Sequence, residues 1–236
     1  MPRLRVIIFD LDDTLYPERE YVRSGFRAVA AWVEGRLGLR AGEAFDGLEA
    51  LFGAGVRGDT FNRWLADRDV SDDGVVAEMV EVYRGHFPSI TPYHGVPELL
   101  SRLRADHKLG LLSDGDGGVQ RRKLEVLGLV DAFDTVLFSD TLGRGSRKPS
   151  PRPYEAVLVA LGVTGPESVY VSDNPTKDFL GARLAGLSSI RLRMPGGIYA
   201  GLEPESPDHA PDLERSNLVG LEEALRSFYV TSGAGL

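Results

Sequence analysis

The chain has 236 residues and an ordinary globular composition, 42% hydrophobic and 26% charged, with a formal net charge of −8. That acid excess argues against nucleic acid polymers or an acidic membrane surface as the main partner. The lack of cysteine excludes disulfides, zinc-thiolate sites and thiol chemistry. No stretch approaches the ~20 apolar residues of a membrane span, and the first apolar run is too short for a signal peptide, so no membrane is expected and the expected location is cytoplasmic.

Residues 4–15, Leu-Arg-Val-Ile-Ile-Phe-Asp-Leu-Asp-Asp-Thr-Leu, form an apolar run rich in β-branched residues that stops at three aspartates. Such a run reads as a buried parallel strand delivering its last side chains to a crevice, where open α/β sheets bind ligands. Asp10 and Asp12, two apart on extended chain, share one side, while alternation aims Asp13 away and makes it structural. Two carboxylates a few ångströms apart in a poorly solvated site need a cation, a shared proton or both, and Mg²⁺ suits them. The plainer alternative is an Asx-turn or a helix cap.

Between 17 and 92 no strand pattern occurs. Apolar residues at helical intervals predict helices over 18–37, 41–52, 60–68 and 72–86, with a glycine loop at 53–58 and Ser71 as a cap. Phe26, Trp32, Phe61 and Trp64 are expected in the core of this bundle. The prolines at 88 and 92 end it, and alternating short apolar runs and helices follow. Strands are predicted at 109–112, 135–138, 169–171 and 189–192, and helices at 97–105, 118–127, 151–161, 177–185 and 220–228. The fold class is therefore α/β, a doubly wound parallel sheet, with a helical insertion. Residues 194–211 read as a surface excursion and the last six residues as frayed.

Three later strands also end on polar residues: Ser113-Asp114-Gly115, Ser139-Asp140 and Ser172-Asp173-Asn174. Parallel strands bring these ends to the rim that carries Asp10 and Asp12. The rim then offers two neighbouring carboxylates, the Ser113 hydroxyl beside Asp114, the acidic pair Asp173 and Asp178, and Lys148 among prolines. Lysine is scarce in this chain, occurring only at 108, 123, 148 and 177. The set suits phosphoryl transfer, with cations neutralising phosphate and a carboxylate attacking phosphorus. Asp10, rigid at the strand end, is the better nucleophile; Asp12, in the loop, is the better proton shuttle. Arg121, Arg122 and Lys123 read as a helix face.

These motifs, in this order, resemble the haloacid dehalogenase superfamily of hydrolases, in the branch with a helical cap inserted after the first motif. The resemblance spans roughly 4–16 and 93–225. It implies a Rossmann-like core over 1–16 and 93–236 and a cap over 17–92. It further implies that Asp10 is the nucleophile, Asp12 the general acid/base and Ser113 the phosphate-binding hydroxyl, with Gln120, Lys123 and 127–129 as the usual continuation. Lys148 resembles the third motif. Asp173 would hold Mg²⁺ together with Asp10 and Asp12, and Asp178 would support it. Ser172 stands where glycine is more usual and Asp114 where asparagine is common; the extra carboxylate either alters phosphate binding or, as favoured here, caps the next helix.

Because Asp12 resembles the phosphatases, the expected activity is hydrolysis of a small phosphorylated metabolite, a sugar phosphate or nucleotide. The alternatives are a phosphomutase and a phosphoacceptor or phospho-ligand-binding module without turnover. A switch domain would need no cap and about half this length. Arg57, with Tyr21 and Arg23, is a candidate for reaching over the pocket.

Overall fold

The computed structural model describes residues 4–70, 72–143 and 145–230. The chain divides into two compact units, one of residues up to Arg19 together with Thr91 onward, the other Glu20–Ile90. No described helix is long and apolar enough to cross a membrane.

The first unit is built on six parallel strands: β1 (Val6–Phe9), β2 (Lys108–Ser113), β3 (Thr135–Phe138), β4 (Ser168–Ser172), β5 (Ser188–Leu192) and β6 (Leu213–Arg215). Their order across the sheet is β3-β2-β1-β4-β5-β6. β1 is wholly buried because both of its faces are covered, which is why its sequence is an unbroken apolar run rather than an alternation. It lies between β2 and β4, with Phe9 level with Leu111 on one side and Val171 on the other. The strand order reverses there, so the crevice at its carboxyl end is the ligand position of an open α/β sheet.

Helices connect the strands: α5 (Val96–Arg104), α6 (Gly117–Val126), α7 (Arg152–Leu161), α8 (Asp178–Leu184) and α9 (Leu218–Val230), with α1 to α4 described below. One face of the sheet gives Val6, Ile8, Leu112 and Tyr170 to a core shared with Tyr154, Val157, Leu158 and Leu161 of α7 and Ala182 of α8. Glycine is required at 181, where a Cβ would come within 2.6 Å of both the Pro149 carbonyl and the Tyr154 ring. That close approach lets α8 sit against the loop that carries Lys148.

β6 was not foreseen in the sequence: it has three residues, none fully buried, and lies at the sheet edge, so it has no apolar pattern to read. The other strands fall within two residues of their expected places.

The second unit holds most of α1 (Glu18–Leu37) and all of α2 (Ala41–Gly53), α3 (Thr60–Ala66) and α4 (Asp73–Gly85). Its core includes Phe26, Val29, Val33, Leu48, Phe52, Trp64 and Met79, with Phe26 edge-on to Phe52 and to Phe61. Trp32 is only half-buried. Asp72 supplies a side-chain cap of α4, accepting from the amides of Gly74 and Val75; Ser71, the expected cap, lies outside the described residues, as do the last six.

Candidate active site

At the end of β1 the Asp10 amide continues the ladder by donating to the Val171 carbonyl (2.9 Å), which fixes the direction of its side chain. Asp10 is 3% exposed. Its carboxylate stands 3.1 Å from the Lys148 ammonium, which also lies 2.7 Å from Asp178 and donates to the Tyr170 hydroxyl at 2.9 Å. Ser172 donates to Asp178 Oδ2 (2.6 Å) and sits 3.4 Å from Asp10 Oδ2. The hydroxyl that replaces the more usual glycine thus joins two of the acids.

Asp10, Asp173 and Asp178 each place one carboxylate oxygen within 4.8 Å of the others. Among the described residues Asp173 Oδ2 is buried with no hydrogen-bond donor, while Asp10 Oδ1 and Asp178 Oδ1 share the Lys148 ammonium. Burial lifts Asp10 to about 6 although Lys148 pulls it down, and burial with the charges of Asp178 and Asp10 pushes Asp173 well above the usual carboxylate range. Asp178 is buried too, but Lys148 and Lys177 hold it below its ordinary value. Burial works against the Lys148 ammonium, yet Asp10 and Asp178 win and hold it well up. Three crowded, poorly solvated acids that share one ammonium are a donor set that fits a hard divalent cation.

Asp12 has the opposite surroundings. Lys123 pairs with its Oδ1 at 2.7 Å, the Tyr16 hydroxyl donates to the same oxygen, and Gln120 donates to Oδ2 at 2.8 Å. Burial alone would raise Asp12, but Lys123 and the donated hydrogen bonds hold it below the usual value. Gln120 and Lys123, three apart on α6, share a helix face turned into the site. The Gln120 amide also donates to Ser113 Oγ (2.6 Å), so one side chain ties the phosphate-motif hydroxyl to the acid/base.

Lys123 is therefore not part of an exposed helix face: it is 5% exposed and fully engaged. Its scarcity was the signal. Asp114 does not cap the following helix either, since Asp116 accepts from the Val119 amide there. Asp114 instead accepts from the Ser139 hydroxyl and from the Lys148 amide (3.3 Å), linking the ends of β2 and β3 to the Lys148 loop. Asp140 pairs bidentately with Arg147.

Asp13 has φ +50°, a left-handed conformation that aspartate tolerates, and accepts from the amides of Glu18 (2.8 Å) and Ile198 (2.6 Å). The segment after β5 is thus more than a surface excursion. Arg191 strengthens the tie, donating to the carbonyls of Asp173, Tyr199 and Leu202, each at 2.9 Å. Sequence patterning gives no hint of this, because each bond joins a side chain to a backbone group of an irregular segment that has no periodicity to read. Arg57, in the helical unit, donates to the carbonyls of Phe52 and Val56 and stacks 3.7 Å from the Phe52 ring centroid.

A strand-end carboxylate, a second acid with its own cation, a buried lysine and a third acidic loop at one switch point make this the core of a Rossmann-like α/β enzyme. The model of the haloacid dehalogenase-like hydrolases matches residues 4–186, and the chain belongs to that family. It is 32% identical to a glyceraldehyde 3-phosphate phosphatase from Methanopyrus kandleri, over 89% of this chain and 92% of that one. With a phosphoserine phosphatase from Thermus thermophilus it shares 34% identity over 95% and 94% of the two chains. Among solved structures, the Bacillus subtilis HAD-hydrolase YfnB, bound to magnesium, has the same fold, with TM-score 0.69, 20% identity and coverage of 95% of this chain and 99% of the other.

Proposed function

We propose that this enzyme, a phosphatase of the haloacid dehalogenase superfamily, is a Mg²⁺-dependent phosphomonoester hydrolase acting on a small phosphorylated metabolite through an aspartyl-phosphate on Asp10. The observation that carries this is the contrast between an acid/base at Asp12, held by three donors of its own, and a buried cluster of Asp10, Asp173 and Asp178 that shares one ammonium, Lys148. The relatives named as phosphatases of glyceraldehyde 3-phosphate and of phosphoserine support the reaction class.

In this mechanism Asp10 attacks phosphorus and the ester oxygen leaves as Asp12 protonates it. Water then attacks the aspartyl-phosphate, passing its proton to Asp12 and regenerating Asp10. Asp12 is the base form in the ligand-free protein; a phosphate dianion placed beside it raises its proton affinity and loads it for the first step. Asp10, Asp173 and Asp178 would hold Mg²⁺, both oxygens of Asp12 being taken up by Lys123, Tyr16 and Gln120, and the cation would supply charge neutralisation at the phosphoryl oxygens. Ser113, oriented by Gln120, and Lys148 hold those oxygens. The helical unit acts as the cap that selects the leaving group and excludes water.

The test is phosphate release from sugar phosphates, nucleotides, carboxylated phosphomonoesters and an aryl phosphate, each with Mg²⁺ and with a chelator. Mg²⁺-dependent release from one or a few members is expected. Absence of release from all of them in both conditions overturns the hydrolase reading.

A further inference from the structure

Three serines, each followed by an aspartate, stand at strand ends: Ser113 closes β2, Ser139 follows β3 and Ser172 closes β4. Two of them spend their hydrogen on a carboxylate. Ser139 donates to Asp114, and Ser172 donates to Asp178 Oδ2 at 2.6 Å. Ser113 differs. It is 1% exposed, and among the described residues the one acceptor before its hydroxyl is the Asp114 carbonyl at 3.5 Å, beyond the ordinary reach of an O–H···O bond.

What Ser113 has instead is a donor. The side-chain nitrogen of Gln120, a residue 2% exposed, lies 2.6 Å from Ser113 Oγ, 2.8 Å from Asp12 Oδ2 and 3.0 Å from the Asp114 carbonyl. Chemistry fixes which way this amide faces. Asp12, paired with Lys123, and the Asp114 carbonyl are acceptors without a hydrogen, so the amide oxygen turned toward them would meet two like oxygens.

The nitrogen brings two hydrogens to three acceptors. The charged carboxylate takes one, and Ser113 Oγ, the nearest of the three, takes the other. A hydroxyl that accepts from the amide and has no good acceptor of its own keeps its hydrogen unspent. A phosphoryl oxygen placed against Ser113 then meets a donor. Donating to that oxygen also makes Ser113 Oγ a better acceptor for Gln120, so the two bonds strengthen each other.

We propose that Gln120 is a positioning residue that makes the Ser113 hydroxyl accept from the protein and so donate its hydrogen to the transferred phosphoryl group. This rests on the hydrolase reading above and names the side chain that sets the polarity of that site's hydroxyl. Asp12 anchors the amide from the other side. Without the amide the hydroxyl rotates, and part of the time it turns its lone pairs toward the phosphoryl oxygens.

The experiment measures binding of inorganic phosphate to the protein in Mg²⁺ by calorimetry, for wild type, Gln120→Met, Gln120→Glu, Ser113→Ala and the Ser113→Ala/Gln120→Met double variant. Gln120→Met should weaken phosphate by about threefold to tenfold, the worth of one neutral hydrogen bond. Gln120→Glu keeps the shape but offers an acceptor that draws the Ser113 hydrogen onto itself, so it should weaken phosphate by about tenfold to hundredfold. In the Ser113→Ala background Gln120→Met should change binding by less than about twofold, because the hydroxyl through which it acts is gone. A loss of equal size with and without the Ser113 hydroxyl overturns the proposal, since Gln120 would then act through Asp12 or the fold alone. Wild-type affinity in either Gln120 variant overturns it as well. Both results leave the hydrolase reading standing if the wild-type protein releases phosphate from an ester. A wild-type protein that releases none from any ester overturns both readings, whatever the variants bind.

Discussion

Asp10 and Asp12 are separated by one leucine and live in opposite surroundings. Asp12 is surrounded by donors: an ammonium, a phenol and an amide reach its two oxygens, and its proton is driven off. Asp10 shares a dry pocket with Asp173 and Asp178, has Lys148 as its nearest cation, and keeps its proton to about pH 6. The contrast teaches that chemically identical side chains acquire different tasks from their donors. A carboxylate held by protein donors keeps a low proton affinity until another charge arrives beside it, while one buried among other acids takes a cation or bonds to an electrophile.

The sharpest way to break this contrast is Asp10→Asn, which removes the attacking oxygen and should lower phosphate release by about 10⁴-fold or more. Retained activity would mean that the nucleophile lies elsewhere. Asp12→Asn should cost about 10²–10⁴-fold. With an aryl phosphate, whose leaving group needs little protonation, this variant should accumulate phosphate on Asp10, detectable after acid quenching as an 80 Da increase, roughly one added HPO₃. An unmodified, inactive variant would instead place Asp12 wholly in the first step.

Lys123→Met makes Asp12 more like Asp10. With that cation gone the Asp12 proton is held more tightly, so the acid limb of the pH–rate profile should move to higher pH while the rate well above it changes little. A limb that stays in place would show that Lys123 does not set the Asp12 proton.

The smallest effect concerns stability and comes from the other acid. Asp10 titrates near 6 in the fold against 3.8 as its ordinary value, so its contribution is present below about 4 and lost as pH rises through 6. Glu18, lifted by burial and by Asp12 to about 8, extends the loss further. Asp12 and Asp178, held low, contribute above 3.8 and lose that contribution only on acidification below it. The ligand-free protein should therefore melt highest between about pH 4 and 6. By pH 8 Asp10 alone accounts for about 3 kcal/mol of lost stability, several degrees in Tm. Millimolar Mg²⁺ should restore those degrees at pH 8 and change little at pH 5; equal stabilisation at both would separate the cation from these acids.

The helical unit and the sheet unit differ in how much of each could be read from the chain. Helical periodicity located α1, α2, α3 and α4 to within a few residues, because a bundle writes its contacts into local spacing. It left the task of Arg57 unread, since that side chain turns back onto the carbonyls of Phe52 and Val56. In the sheet unit, polar residues at the ends of apolar runs located Asp10, Ser113 and Asp173, because strand ends in a parallel sheet share one rim.

The sequence by itself therefore determined five of the six strands, their common edge and which acids lie there, all of which follow from local pattern and parallel connection. Only the tertiary structure decided which acid has donors of its own and which shares an ammonium with other buried acids. Lys123 reaches Asp12 across 111 positions of sequence, Ser172 reaches the Asp10 carboxylate across 162, and the Ile198 amide reaches Asp13 across 185. A charge's proton affinity is set by burial and by neighbours within a few ångströms, and that distance is not encoded in separation along the chain.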